Sequence, residues 1–163
     1  MNKGFLAGCF CLIFFWIGCA KSPNFSDTPE LSFVSISKNS LLQGDINNDS
    51  LTVTINFTDG DGDIGLTRDD ISQNLRIIDS RTGELASSFK IPEIPASGSN
   101  NGIRGTMRFR VFSTCCIYTN GQAPCEASTL IPTNVLKLAI TLSDRAGNVS
   151  NTVETSPITL ICN

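Results

Sequence analysis

The chain has 163 residues, with 12 lysines and arginines against 15 aspartates and glutamates, a net charge of −3, seven cysteines and no histidine. That length suits one domain whose core needs neither metal nor disulfides merely to fold, so the cysteines must serve another purpose. The absence of histidine excludes Ser-His-Asp and Cys-His catalysis and removes the preferred zinc ligand, and the acidic balance offers nothing to a nucleic acid, so we expect neither an enzyme nor a nucleic-acid binder.

Met1 to Lys3 make a short positive start, and the 14 residues Phe5 to Gly18 (FLAGCFCLIFFWIG) are almost unbroken apolar. Such a run covers roughly 21 Å at the helical rise, short of the ~30 Å hydrocarbon core. It has the length of a signal-peptide apolar region, with Gly18 as the small residue before a cut. Ile17-Gly18-Cys19-Ala20 resembles the lipobox of bacterial lipoproteins, although Trp16 stands where that family usually has leucine. The resemblance implies a signal peptide over 1–18, a diacylglyceryl group on the Cys19 thiol, and one further fatty-acyl chain such as palmitate on the new amino terminus. Ala20 in place of aspartate implies attachment to the outer membrane. At about 0.8 kcal/mol per buried CH₂, three acyl chains are an essentially permanent anchor.

Lys21 to Glu30 (KSPNFSDTPE) is polar and aperiodic, so residues 19–30 read as the lipidated cysteine and a flexible tether, with the domain over 31–163. The predicted strands then follow in order. Leu31–Ser37 alternates, and Leu51–Phe57 alternates cleanly with Leu51, Val53, Ile55 and Phe57 on one face.

Between that strand and the next lies Asp59-Gly60-Asp61-Gly62-Asp63-Ile64-Gly65-Leu66. Alternation with glycine sets successive carboxylates within roughly 7–8 Å of each other on a chain that can curl, so their oxygens can converge. Calcium, a hard cation taking six to eight oxygens, suits such a loop better than magnesium or a transition metal. The pattern overlaps the opening of an EF-hand, but Ile64 stands where that loop requires glycine and no helix is predicted to follow. The competing reading is that Asp-Gly pairs simply form turns.

Further strands are predicted over 74–80, 86–91, 106–114, 135–142 and 158–162, with Ser97–Gly102 as a loop. In the fifth, Arg108 and Arg110 alternate with Met107, Phe109 and Val111, near Arg104. A strand with a solvated basic face is favoured there over a polyanion-binding patch. About seven antiparallel strands indicate an all-β, immunoglobulin-like two-sheet sandwich. In immunoglobulin order the acidic loop joins strands B and C, and Ser143-Asp144-Arg145-Ala146-Gly147-Asn148 joins F and G at the same end. Asp144 and Asn148 would then complete a calcium shell with Asp59, Asp61 and Asp63. Strand A starts at that end too, so the ion would also clamp the base beside the tether.

Removing Cys9 and Cys11 with the signal peptide and Cys19 by lipidation leaves Cys115, Cys116, Cys125 and Cys162. In an oxidising compartment four cysteines form two disulfides, with three pairings open. A bond between the neighbours Cys115 and Cys116 would be strained, so each is expected to reach a distant partner, one stapling the 116–125 loop and the other pinning Cys162. A zinc site of four thiolates has the wrong spacing, CC-x8-C.

The lipobox, the proline-containing spacer, NFTDGDGDIGL and the closing LSDRAGNVSNTVETSPITL together resemble small cell-envelope lipoproteins of the Bacteroidota, whose single domain is immunoglobulin-like. The resemblance implies place and fold more than activity. Asp49-Ser50-Leu51 also resembles the short O-glycosylation signal of that group, with Ser50 as acceptor. The function expected is a non-catalytic, lipid-anchored module, stabilised by calcium and binding an envelope protein or a glycan. The alternative is a structural accessory subunit of an outer-membrane assembly. Sugar sites stack rings on tryptophan or tyrosine, and beyond the signal peptide the chain has only Tyr118 and no tryptophan. A carboxylate hydrolase is disfavoured because Asp59, Asp61 and Asp63 are too crowded to work as a separated acid and base.

Overall fold

The computed structural model describes residues 25–94 and 102–163. The expected signal peptide, Cys19, the tether as far as residue 24 and most of the Ser97–Gly102 loop lie outside them. The described residues form an all-β, sandwich-like fold without helix, and no helix there is long and apolar enough to cross a membrane.

Ten strands are present: β1 (Glu30–Ile36), β2 (Ser40–Leu42), β3 (Ser50–Asp59), β4 (Leu75–Asp79), β5 (Leu85–Phe89), β6 (Ile103–Phe112), β7 (Thr133–Leu136), β8 (Leu138–Leu142), β9 (Val153–Glu154) and β10 (Ile158–Ile161). They form three open sheets in the orders β1-β3-β6, β5-β4-β8-β9 and β2-β10-β7. The first two are antiparallel throughout, and the third contains one parallel pair, β2 with β10.

The alternating pattern explains the layers. Leu51, Val53, Ile55 and Phe57 of β3 turn inward, and Leu75 and Ile77 of β4 and Leu138, Ile140 and Leu142 of β8 do the same from another sheet, forming one buried cluster. Side chains of period two that share a face can bury it only against a second layer.

All seven predicted strands are present, but the number of strands and sheets differs from the expectation of seven in two. Residues 135–142 divide at Lys137, whose N–H donates to Ser80 Oγ (3.0 Å) and whose carbonyl accepts from Ser80 N (3.0 Å). Before the break β7 pairs with β10, and after it β8 pairs with β4 and β9. The partner chain breaks at the same level. Thr155 bonds Leu138 through both backbone and hydroxyl, and Pro157, which cannot donate to a ladder, follows. One long hairpin thus bends and passes from one sheet to the next. The remaining extra strands are β2, three residues held by β10, and β9, two residues held by β8.

Both disulfides form as expected, each neighbour reaching a distant partner: Cys115 to Cys125 and Cys116 to Cys162. The four sulfurs are consumed pairwise, which leaves no thiolate set for zinc. The second bond is buried beneath Gln43, whose amide donates to Cys162 O (2.8 Å) and Glu126 O (2.9 Å) while its carbonyl accepts from Cys116 N (3.1 Å). Tyr118 packs against the core, with its hydroxyl donating to Glu126 O at 2.7 Å.

Candidate metal centre

Strand β3 ends on Asp59, which is 0% exposed. Its side chain follows the inward set Val53, Ile55 and Phe57, so the strand's own periodicity carries this carboxylate inside. The chain then reverses. Asp63 N donates to Asp59 Oδ2 at 2.9 Å, closing a short turn. The two intervening glycines have different reasons. A Cβ at Gly60 would lie 2.6 Å from Phe25 O, so no side chain fits there, and Gly62 has φ +77°, a left-handed conformation that costs other residues energy. Ile64, fully buried, plugs the loop into the core.

This turn brings carboxylate oxygens of Asp59, Asp61 and Asp63 within 4.8 Å of one another. Asp59 Oδ1 and Asp63 Oδ1 are buried with no hydrogen-bond partner. Burial is the main cause that pushes the Asp59 carboxyl up to about 6; the Asp63 N–H opposes it, and the charges of Asp61, Asp63 and Asp144 add to it. The Asp63 carboxyl is raised too, first by burial and then by Asp144 and Asp61, against the Ala146 N–H and Arg145. The set grades from buried Asp59 through half-buried Asp63 to exposed Asp61, and an oxygen-only group of this kind that repels itself could hold a metal ion.

The Asp144 segment meets the acidic loop, as the strand lettering anticipated. Arg145 N donates to Asp63 O (3.2 Å) and Ala146 N to Asp63 Oδ2 (3.0 Å). Asp144 itself is buried and its charge is felt at both Asp59 and Asp63, but its carboxylate is outside the convergent three. Both its oxygens accept from Asn148, Oδ1 from the backbone N–H (2.7 Å) and Oδ2 from the side-chain amide (2.8 Å). Asn148 therefore shapes the hairpin around Gly147 and stands behind Asp144.

Two residues that sequence reasoning left without a role hold this end together. The amide of buried Asn74 donates to Ile64 O (2.7 Å) and Ser143 O (2.9 Å), and its carbonyl accepts from Ile91 N (2.9 Å). One side chain thus joins the acidic loop, the end of β8 and the segment after β5. The Arg145 guanidinium donates to Gly65 O at 2.5 Å, with Glu93 at 3.8 Å. A polar residue directly before the β-prone run Leu75-Arg76-Ile77-Ile78 was the only signal that Asn74 carried.

Comparison with protein-family models, curated proteins and solved structures returns no match.

Proposed function

We propose that this is a non-catalytic, lipid-anchored cell-envelope module of immunoglobulin-like topology, stabilised by calcium at Asp59, Asp61 and Asp63. The observation that carries the reading is the fully buried Asp59, whose Oδ1 has no partner while two further carboxylates lie within 4.8 Å. Two oxygens on one calcium ion are separated by at most roughly 5 Å at its usual bond lengths, so the three fit one coordination sphere. The ion would neutralise the repulsion and satisfy the orphan oxygens together. Asp144, with Asn148 behind it, contributes field at the site's rim.

The orders β1-β3-β6 and β5-β4-β8-β9 support the immunoglobulin-like topology, since they match strands A-B-E and C′-C-F-G of such sandwiches. The non-catalytic role is supported by the sequence, which has no histidine to serve as a general base. Membrane attachment through Cys19 and placement at the outer membrane rest on the lipobox. The test is thermal unfolding of the protein in calcium and in chelator, with terbium luminescence as a direct readout of the site. We expect a rise in Tm of several degrees with calcium and saturable terbium emission that calcium displaces. Coincident melting curves and no emission would sink the proposal. Mass spectrometry of the membrane-extracted protein should find the mature chain beginning at an acylated Cys19.

A further inference from the structure

On the outer face of the β1-β3-β6 sheet, charge is segregated against the sign of the whole molecule. Arg104, Arg108 and Arg110 all project there and are exposed, across from Thr58, Thr54 and Thr52 of β3. The one exposed acid on these three strands is Glu30, paired with Thr58 in the Arg104 row. Among the described residues none of the four ion pairs uses these arginines. A chain with net charge −3 thus presents three guanidinium groups against one carboxylate on a single sheet face.

The layout is a line. Arg104 to Arg110 spans roughly 20 Å, with Arg108 and Arg110 roughly 7 Å apart. Strand β6 is the last in its sheet, so this line runs along an edge. Beside it stands a second row, Thr52, Thr54, Asn56 and Thr58, which offers hydroxyl and amide groups at the strand spacing of roughly 4.8 Å. Guanidinium forks grip planar or tetrahedral anions in pairs of hydrogen bonds, and a row of hydroxyls matches sugar hydroxyls. The outward positions of β3 and β6 from Thr52 to Thr58 and Arg104 to Arg110 carry no aromatic ring, and the outward ring of β6 is the exposed Phe112 at its end, so a neutral sugar would find one ring beyond the row and none along it.

The geometry points to a binding face for an anionic polysaccharide, a chain of carboxylated or sulfated sugars lying along β6 with its acid groups on Arg104, Arg108 and Arg110 and its hydroxyls on the threonine row. This rests on reading the domain as a binding module and names its partner class. A compact anionic lipid headgroup would be served by a cluster of arginines, whereas a row spread over roughly 20 Å suits a polymer.

The test measures binding of heparin and polygalacturonate to the full-length protein in neutral detergent, with phosphatidylglycerol vesicles as the headgroup arm. We expect saturable binding to at least one polysaccharide, weakening as salt rises. Arg108→Ser with Arg110→Ser should cost at least tenfold in affinity, and the paired lysine variant should keep the charge but recover only part of it. Arg76→Ser, removing an exposed arginine of β4 in another sheet, should change nothing. Melting of each variant checks that it folds. Equal affinity in the serine variant, an equal loss in Arg76→Ser, or vesicle binding without polysaccharide binding would overturn the inference. Absent polysaccharide binding with calcium-dependent melting intact overturns this inference alone. Loss of the calcium effect as well removes the stabilised-module reading with it.

Discussion

A carboxylate with no exposure and one unpartnered oxygen raises the free energy of the folded state whenever it is ionised, and Asp59 is such a group. Its pKa is raised from 3.8 to about 6 by burial above all, so the folded protein holds the proton more tightly than the unfolded chain. The stabilisation is fully present below 3.8 and is lost as pH rises through 6, about 3 kcal/mol for this one group. In chelator, the urea midpoint should therefore fall between pH 4 and pH 7. Calcium should abolish that fall, since the ion replaces the proton. Asp59→Asn should flatten the profile in chelator and eliminate the calcium response; an unchanged response would show that the ion binds elsewhere. The convergence of the three aspartates was legible because glycine alternation is a local signal. Asn74 was not, because its partners Ile64, Ser143 and Ile91 come from three separate segments. Asn74→Ala leaves the buried carbonyl of Ile64 and the half-buried one of Ser143 without this donor, and chemical denaturation should register a loss of about 2–3 kcal/mol.

Among the elements, β3 was legible to within two residues of its ends because four inward apolar residues alternate with polar ones between turn-forming segments. The ends of the long hairpin were less legible. Val135 to Leu142 continues as one β-prone run in sequence, and its division at Lys137 is imposed by Ser80 from another part of the chain. Strands β2 and β9, three and two residues long, carry too little periodicity to be seen locally and exist because β10 and β8 offer them ladders. The two disulfides act at this scale. Cys116–Cys162 spans 46 residues and Cys115–Cys125 spans 10, so on the chain-entropy model they contribute about 4 and about 3 kcal/mol. Replacing Cys116 and Cys162 together by alanine should lower stability more than replacing the other pair, and by more than entropy alone, since those sulfurs are in the core. Equal losses measured by urea unfolding would contradict that order.

At the scale of the whole molecule, the acidic end gathers the acidic loop, the Asp144 hairpin and the segment entering β1. Gly60 N donates to Ser26 O at 2.7 Å, and Pro29 is fully buried, so residues 25–29, read from sequence as the end of a flexible tether, rest on the back of the acidic loop. Asn151 fastens the next step, accepting from Leu31 N (2.7 Å) and donating to Leu31 O (3.0 Å). An ion that orders residues 59–63 should stiffen this entry as well. Hydrogen exchange at Gly60 and proteolysis within 25–29 should both slow several-fold in calcium, and equal rates in chelator would show the two segments to be uncoupled. The sequence by itself determined the all-β class, the inward face of each long strand, the crowding of three carboxylates and the parity of the cysteines, because each depends on residues close together in the chain. Which cysteines pair, where the long hairpin bends and changes sheet, how Asn74 joins three segments and how the entering chain lies on the acidic loop were decided only by the tertiary structure. Those contacts are made across wide sequence separations, and their partners become neighbours only once the sheets have closed on a common core.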